Sequence, residues 1–247
     1  MVTGWQLTPY AIPALAATFA AIAMLALTYR RRHAPGAPAF SLLIAATGVW
    51  SVFDAAILCA PDLPTKLLLT KFEYVGIVSA PLAWLLFAVR YCGQDRWLRG
   101  WRLPALAIVP ATTLVLTATL ERHRWIYGSV RLVERDSTLV LAADYGIWFL
   151  VFSIYSYLLI AVATFLFLWT LSAAERAFRG QMIAVVVAPL LTLVGNAVYL
   201  SKLTAVPPID LTPVGFTLGM LLMSLALFRW HFFELVPLAH DTVIDAM

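Results

Sequence analysis

Residues 39–60 read AFSLLIAATGVWSVFDAAILCA, a run in which Asp54 is the only charged side chain. A hydrocarbon core of ~30 Å takes ~20 helical residues, and an open strand would leave its backbone polar groups unsatisfied there. The run therefore predicts a transmembrane helix. A carboxylate within such a helix is costly to expose to lipid, so Asp54 is also a candidate functional residue.

Six further stretches of the chain have the same apolar character. Apolar residues make up 62% of the sequence and charged residues 12%, and the mean hydropathy is +0.88. A soluble domain carries about 25% charged residues. The sequence therefore predicts an all-α membrane protein, in which residues 1–230 form one bundle of seven transmembrane helices. The predicted spans are 9–29, 39–60, 67–90, 103–120, 145–171, 182–201 and 212–230.

The basic residues in the connectors predict the orientation of the bundle. An odd number of spans places the two termini on opposite sides of the membrane. One set of connectors holds ten basic residues, including the run Arg30–Arg32, and the other holds seven, including Lys66 in the connector 61–66. Because basic loops stay in the cytoplasm, the N-terminus is expected outside and the C-terminus inside. This indicates a multi-pass protein of the inner (cytoplasmic) membrane.

The basic pI of about 9.2 does not indicate a nucleic-acid partner. Anionic lipid headgroups and the membrane topology account for the excess of positive charge. Membrane lipids are therefore the expected partners of the basic residues.

The connector 121–144 is longer than the others. Val130 and Leu132 precede a polar break at Glu134–Ser137, and the apolar run Leu139–Leu141 follows it. Two apolar runs around a polar break are typical of a β-hairpin. We expect a small extracytoplasmic hairpin between helices 4 and 5, and a disordered loop is the alternative.

Polar and aromatic side chains concentrate in the outer half of the predicted bundle. Ionisable groups within a span are candidate functional residues, and the inner half has almost no comparable groups. The whole layer therefore favours a ligand pocket that opens to the outside. Taken singly, the residues also fit structural roles, since Lys71 could neutralise Asp54 or Glu73 and Asn196 could tie helices together. The predicted lining is Trp50, Asp54, Lys71, Glu73, Tyr74, Trp148, Phe152, Tyr155, Asn196, Tyr199 and Asp210.

Several kinds of chemistry lack their residues. The histidines lie outside the predicted spans, so no pair can hold a haem between helices. Span seven has no lysine for a retinal Schiff base, and the chain has no HExxH, G-x-S-x-G or P-loop motif. We expect no enzymatic activity in this chain, no cofactor and no metal site.

Residues 231–247 differ from the spans. HFFELVP at 231–237 is typical of a membrane interface, and a short amphipathic helical segment begins near Ala239. We interpret 231–247 as a cytoplasmic juxtamembrane linker that leads to a missing output module. The residues expected to transmit the signal are Arg229, Phe233 and Pro237.

Three stretches carry a resemblance to a known family. Residues 71–91 read KFEYVGIVSAPLAWLLFAVRY, residues 181–200 read QMIAVVVAPLLTLVGNAVYL, and residues 210–247 begin DLTPVGF. Their order and spacing resemble the seven-transmembrane N-terminal sensor region of bacterial and archaeal histidine kinases. The resemblance covers nearly the whole chain.

That resemblance implies a PAS, histidine kinase or diguanylate cyclase module after the bundle, and a homodimer formed through the full-length kinase. It names no ligand. The positions that it marks as characteristic are Glu73, Tyr74, Pro81, Gln181, Asn196, Asp210 and Pro213.

The leading hypothesis is therefore a receptor domain that binds a small or lipid-like molecule in the outer pocket and signals through helix 7. A small transporter or channel is one alternative, and it would need a continuous polar path and internal repeats, which the sequence does not show. A sensor of membrane state without a discrete ligand is the other.

Overall fold

The computed structural model describes residues 4–30, 32–33, 36–135, 138–172, 184, 187–196 and 212–229. The described part of the chain is mostly helical and includes a small two-stranded sheet, as the sequence predicts. The helices are α1 Ile12–Tyr29, α2 Ala37–Cys59, α3 Leu63–Tyr91, α4 Arg102–Ala118, α5 Ile147–Ser172, α6 Val187–Asn196 and α7 Thr212–Arg229. The strands are β1 Tyr127–Arg135 and β2 Thr138–Tyr145.

Four of the described helices are long and apolar enough to cross a membrane. They are α1 with the short 3-10 turn before it, α2, α3 and α5. Helices α4 and α6 and the segment Val214–Met223 of α7 are apolar but shorter. The chain is therefore a membrane protein, while the count of seven spans and their orientation remain predictions.

Helix α3 is central to the bundle, because it contacts α2, α4 and α5. Helix α1 packs on α2 and α7, and α2 also contacts α7. Helices α2 and α3 approach each other closely at Gly76, where an added Cβ would lie 2.5 Å from the carbonyl oxygen of Ala46 and 2.5 Å from the backbone nitrogen of Trp50. Only glycine allows the two backbones to come this close.

Helix α3 begins four residues earlier than predicted, so the assignment of Lys66 to a connector was wrong. Asp62 caps the helix, since its carboxylate accepts a hydrogen bond of 2.8 Å from the Thr65 backbone N–H, and Pro64 lies in the first turn. Lys66 is fully buried, and its Nζ donates to the Ile57 carbonyl at the end of α2. A cation is favourable there because a helix C-terminus carries partial negative charge.

The predicted β-hairpin is confirmed as a two-stranded antiparallel sheet. The pairing runs from Arg135–Thr138 to Tyr127–Tyr145, with an irregularity near Tyr127. Because Tyr145 belongs to the sheet, α5 begins at Ile147 and not at 145 as predicted. Gly146 is the single residue between β2 and α5, and a Cβ there would lie 2.3 Å from the carbonyl oxygens of Arg124 and Trp125.

Lys71 forms an ion pair with Glu121, with 2.6 Å between Nζ and Oε1. Glu121 lies in a 3-10 turn after α4, between Leu120 and Arg122. The partner of Lys71 is therefore neither Asp54 nor Glu73, the two carboxylates considered from the sequence. The hydrogen bond from Lys71 lowers the pKa of the Glu121 carboxyl below its usual value.

We expect this ion pair to make stability depend on pH. Because the pKa of Glu121 is lower in the folded state, its contribution is present above the unfolded pKa of ~4.3 and is lost as the pH falls through the folded pKa. Both side chains are partly exposed, so Glu121→Gln should lower the free energy of unfolding at pH 7 by at most about 1 kcal/mol. Thermal unfolding should show this difference shrinking below pH 4. The control is Glu134→Gln on the exposed part of the hairpin. If Glu121→Gln lost as much stability below pH 4 as at pH 7, the prediction would be contradicted.

Candidate ligand cavity

A cavity of about 150 Å³ lies between α2, α3, α5, α6 and α7. Residues of both strands line it, so the hairpin covers this end of the bundle. Leu141 and Tyr145 of β2 and Tyr127 of β1 supply that cover. Each wall thus comes from a different element, and the cavity exists only in the folded bundle.

The structure brings many of the predicted pocket residues together. Of the eleven, those that line the cavity are Trp50, Asp54, Glu73, Tyr74, Phe152 and Asn196. Tyr199 and Asp210 lie outside the described residues. Whether any of these side chains binds a ligand remains a prediction.

Three predicted lining residues lie elsewhere. Lys71 pairs with Glu121, as described above. Trp148 and Tyr155 tie α5 to α4, since the Trp148 indole N–H donates to Thr113 Oγ1 at 2.9 Å and the Tyr155 hydroxyl donates to the Leu106 carbonyl oxygen at 2.7 Å. The three predicted lining residues of α5 therefore divide between two faces of that helix, since Phe152 lines the cavity whereas Trp148 and Tyr155 contact α4.

Residues that the sequence interpretation missed replace them on the cavity side of α5. Phe149, Ser153, Ser156 and Tyr157 all line the cavity. Ser153 lies four residues after Phe149, and Ser156 and Tyr157 lie three and four residues after Ser153, so together they form one face of the helix that begins one residue after Trp148. To choose between these two sets of α5 residues, one must know which face of α5 packs against α4. The sequence pattern alone does not give that information.

The two carboxylates of the cavity come from neighbouring helices. Asp54 on α2 and Glu73 on α3 are each only 8% exposed. Glu73 is followed by the cavity residue Tyr74, and the cavity residue Trp50 precedes Asp54 by four residues, about one helical turn. Among the described lining residues there is no lysine, arginine or histidine. The cavity therefore presents acidic groups within a largely apolar and aromatic wall. No group of three metal-ligating side chains occurs in the described part of the chain.

Aromatic rings connect α3, the hairpin and α5 around the cavity. Tyr74 meets Tyr127 edge-on, with 6.3 Å between ring centroids, and Tyr127 lies 6.0 Å from Tyr145. Tyr145 stacks on Phe149 at 3.8 Å. All four rings line the cavity, so they form one continuous aromatic wall.

Asn196 joins three helices at the cavity. The Tyr157 hydroxyl on α5 donates to Asn196 Oδ1, and Asn196 Nδ2 donates to Thr212 Oγ1 at 3.2 Å. Thr212 is buried and is the first residue of α7. A side chain in the cavity wall is thus hydrogen bonded to both α5 and α7.

Helices α6 and α7 are in backbone contact. A Cβ on Gly215 would lie 2.6 Å from the Leu191 carbonyl oxygen, and a Cβ on Gly219 would lie 2.8 Å from that of Ala188. Gly215 and Gly219 form a G-x-x-x-G pattern, which allows membrane helices to pack closely. This pattern was readable in the sequence, and our interpretation missed it.

Further along the bundle, away from the hairpin, large aromatic side chains fill the space between α2, α3 and α5. Phe87 lies 5.0 Å from Phe40 and 5.4 Å from Phe167, and Trp84 lies 5.6 Å from Phe167, measured between ring centroids. All four are buried. The interior at this level is packed with apolar groups, in contrast to the cavity.

Comparison with protein families decides the relationship suggested by the motifs. A family model described as the N-terminal 7TM region of histidine kinase matches residues 13–237. The chain belongs to this family. The match confirms the predicted resemblance, and the matched region is a sensor region and not a catalytic domain. The search of curated proteins found no match.

The sensor region includes residues that the sequence marks for signal transmission. Arg229 is the last residue of α7. Phe233 and Pro237 lie outside the described residues, as does the linker 231–247. Their proposed role in signalling therefore rests on their position after α7.

Proposed function

We propose that this sensor region binds a small ligand in the cavity and passes the binding signal through α7 to the cytoplasm. The observation that carries the proposal is the bridge at Asn196, which links the cavity wall to α5 and to the start of α7. A ligand that contacts Asn196 or its neighbours then changes the relative stability of two helix packings. In the orientation inferred from basic residues, the hairpin lies outside and the end of α7 reaches the cytoplasm.

Helix α7 is suited to carry a change in helix packing from the cavity towards the cytoplasm. Thr212 and Phe216 line the cavity, and Phe216 lies 5.8 Å from the Trp50 ring. The helix then continues for about three and a half further turns to Arg229. The linker 231–247 would pass the movement to an output module, which we propose is a dimeric histidine kinase or a related PAS or diguanylate cyclase protein. The chain itself would perform no catalysis.

The surroundings of the cavity support a route from the outer leaflet. The hairpin covers the end of the bundle, whereas an apolar groove between α5 and α6 shares Tyr157, Ile160 and Leu193 with the cavity. This continuity supports a ligand with an apolar body. The groove also favours a second function, the sensing of membrane state, because its apolar lining suits a lipid chain. A channel has less support than either of these functions, because buried aromatic side chains around Phe87 fill the interior between α2, α3 and α5.

Native mass spectrometry of the gently purified chain tests the proposal. We expect a defined small molecule to accompany the wild-type protein and to be lost from Asp54→Ala and Asn196→Ala, because both side chains line the cavity. Leu218→Ala, on an exposed face of α7, should retain the molecule. Heterogeneous lipid that is unchanged by both variants would instead support sensing of membrane state. Unchanged signalling of the full-length protein in both variants would contradict the ligand-receptor proposal.

A further inference from the structure

The charge of the cavity restricts the chemistry of a ligand. Asp54 and Glu73 both line it, and the described lining residues include no basic side chain. A carboxylate accepts several hydrogen bonds at once, so contacts with protein groups are compatible with a bound ligand. In a site of low dielectric constant, two nearby carboxylates disfavour an anion and favour a cation or a donor of several hydrogen bonds.

The aromatic wall adds a second and independent preference. The rings of Tyr74, Tyr127, Tyr145 and Phe149 follow one another around the cavity. Trp50 of α2 and Phe216 of α7 also line it, with 5.8 Å between their ring centroids. Aromatic faces attract cations through the ring quadrupole, and the attraction grows when water is excluded. Alkyl-substituted ammonium ions use this interaction well, since their methyl groups also make apolar contacts.

The size of the cavity sets a limit on the ligand. A cavity of about 150 Å³ compares with engineered protein cavities that hold a molecule of benzene's size. The cation enclosed here is therefore small. Any longer apolar part has space only in the groove between α5 and α6, which shares Tyr157, Ile160 and Leu193 with the cavity.

We propose that the ligand of this cavity is a small organic ammonium ion, held by the carboxylates of Asp54 and Glu73 and by the aromatic wall. The inference rests on the proposed function and adds the chemical class of the ligand. The same ammonium group occurs on free amines and on lipid headgroups, and the experiment below separates these two sources.

Matched probes test the charge preference. Choline, 3,3-dimethylbutan-1-ol and 3,3-dimethylbutanoate share one shape and differ in charge, and butylammonium is a primary ammonium probe. Each is added to the 247-residue chain in an uncharged maltoside detergent, and thermal unfolding is recorded as a function of concentration. We expect choline or butylammonium to raise the unfolding temperature and the anion to have no effect. Equal shifts from choline and the neutral alcohol, a shift from the anion alone, or no shift from either ammonium ion would overturn the inference.

Charge-neutral variants locate the effect. Glu73→Gln and Asp54→Asn keep the shape of the side chain, and each should weaken the binding of the ammonium probe about tenfold or more. Phe149→Leu keeps an apolar group and should weaken the ammonium probe while leaving the neutral alcohol unchanged. Glu134→Gln on the exposed hairpin is the control. Unchanged ammonium affinity in both charge-neutral variants would contradict the assignment to this cavity, and the unfolding temperature without probe shows whether each variant folds.

Lysophosphatidylcholine carries the choline group on an acyl chain and separates the two sources. Tighter binding than choline, with the same loss in Glu73→Gln, would indicate a lipid headgroup, and weaker binding would indicate a free amine. Failure of the proposed function is read separately, from the molecule retained by Asn196→Ala in native mass spectrometry. If the neutral or anionic probe binds and depends on Asn196, the cavity remains a ligand site and only its preference for ammonium ions is wrong.

Discussion

Replacing Gly76 with alanine is expected to lower the free energy of unfolding by about 1–3 kcal/mol. The new Cβ would lie 2.5 Å from the Ala46 carbonyl oxygen and from the Trp50 backbone nitrogen, and both are backbone atoms of α2 that no rotamer change can move. Helices α2 and α3 must therefore separate along their contact. The loss is measured by SDS titration in mixed micelles.

Gly48→Ala is the matched control for this substitution. Gly48 also lies in the middle of a helix, so the gain in helix propensity of about 1 kcal/mol applies to both variants and cancels in the comparison. Its Cβ would meet only the Cβ of Ala21, at 3.2 Å. A Gly76→Ala protein as stable as Gly48→Ala would show that the α2–α3 contact is looser than described. The added Cβ in Gly76→Ala would also displace Trp50, which lines the cavity. Ligand binding should therefore weaken together with stability in Gly76→Ala and stay unchanged in Gly48→Ala.

The second large effect is expected at Gly215, where α6 and α7 meet. A Cβ there would lie 2.6 Å from the Leu191 carbonyl oxygen and 3.0 Å from the Thr192 Cα, so alanine would push α7 away from α6. We expect a loss of about 1–3 kcal/mol in the free energy of unfolding and faster amide hydrogen exchange in the first turns of α7. The displacement of α7 from α6 should also lengthen the hydrogen bond between Asn196 and Thr212.

Leu218→Ala is the control for this variant, because Leu218 lies on an exposed face of the same helix. It should change neither hydrogen exchange nor the molecule retained in native mass spectrometry. If Gly215→Ala leaves the exchange rates of α7 unchanged, the contact between α6 and α7 does not hold the helix. If exchange increases but signalling of the full-length protein is unaffected, α7 does not transmit the signal through this contact.

Local chemistry explains which boundaries could be predicted. Asp62 and Pro64 form a readable start signal for α3, and attention to this pair would have placed Lys66 inside the helix. The hairpin was predictable because two apolar runs flank a polar break. The exact start of α5 was not, because Tyr145 pairs across the sheet with Tyr127, a contact between residues distant in the chain.

The candidate site shows the same division. Asp54, Glu73 and Asn196 could be identified because a polar group within an apolar run is costly and therefore conspicuous. Lys71 and Trp148 looked equally plausible, yet one pairs with Glu121 and the other with Thr113 on α4. Successive residues of a helix are rotated by about 100° around its axis, so neighbouring residues point to different faces. Only the packing of the neighbouring helices decides which face lines a cavity.

The sequence by itself determined that this protein is a helical membrane protein with a hairpin and a polar layer near one end of the bundle. It could do so because the hydrocarbon core demands long apolar runs and satisfied backbone groups, and these are properties of contiguous residues. The tertiary structure decided which polar residues meet. The pairing of Lys71 with Glu121, the bridge from Tyr157 through Asn196 to Thr212, and the enclosure of the cavity by five helices and the hairpin all depend on helix rotation and close backbone packing. Those contacts join residues far apart in the chain, and the local apolar pattern does not specify them.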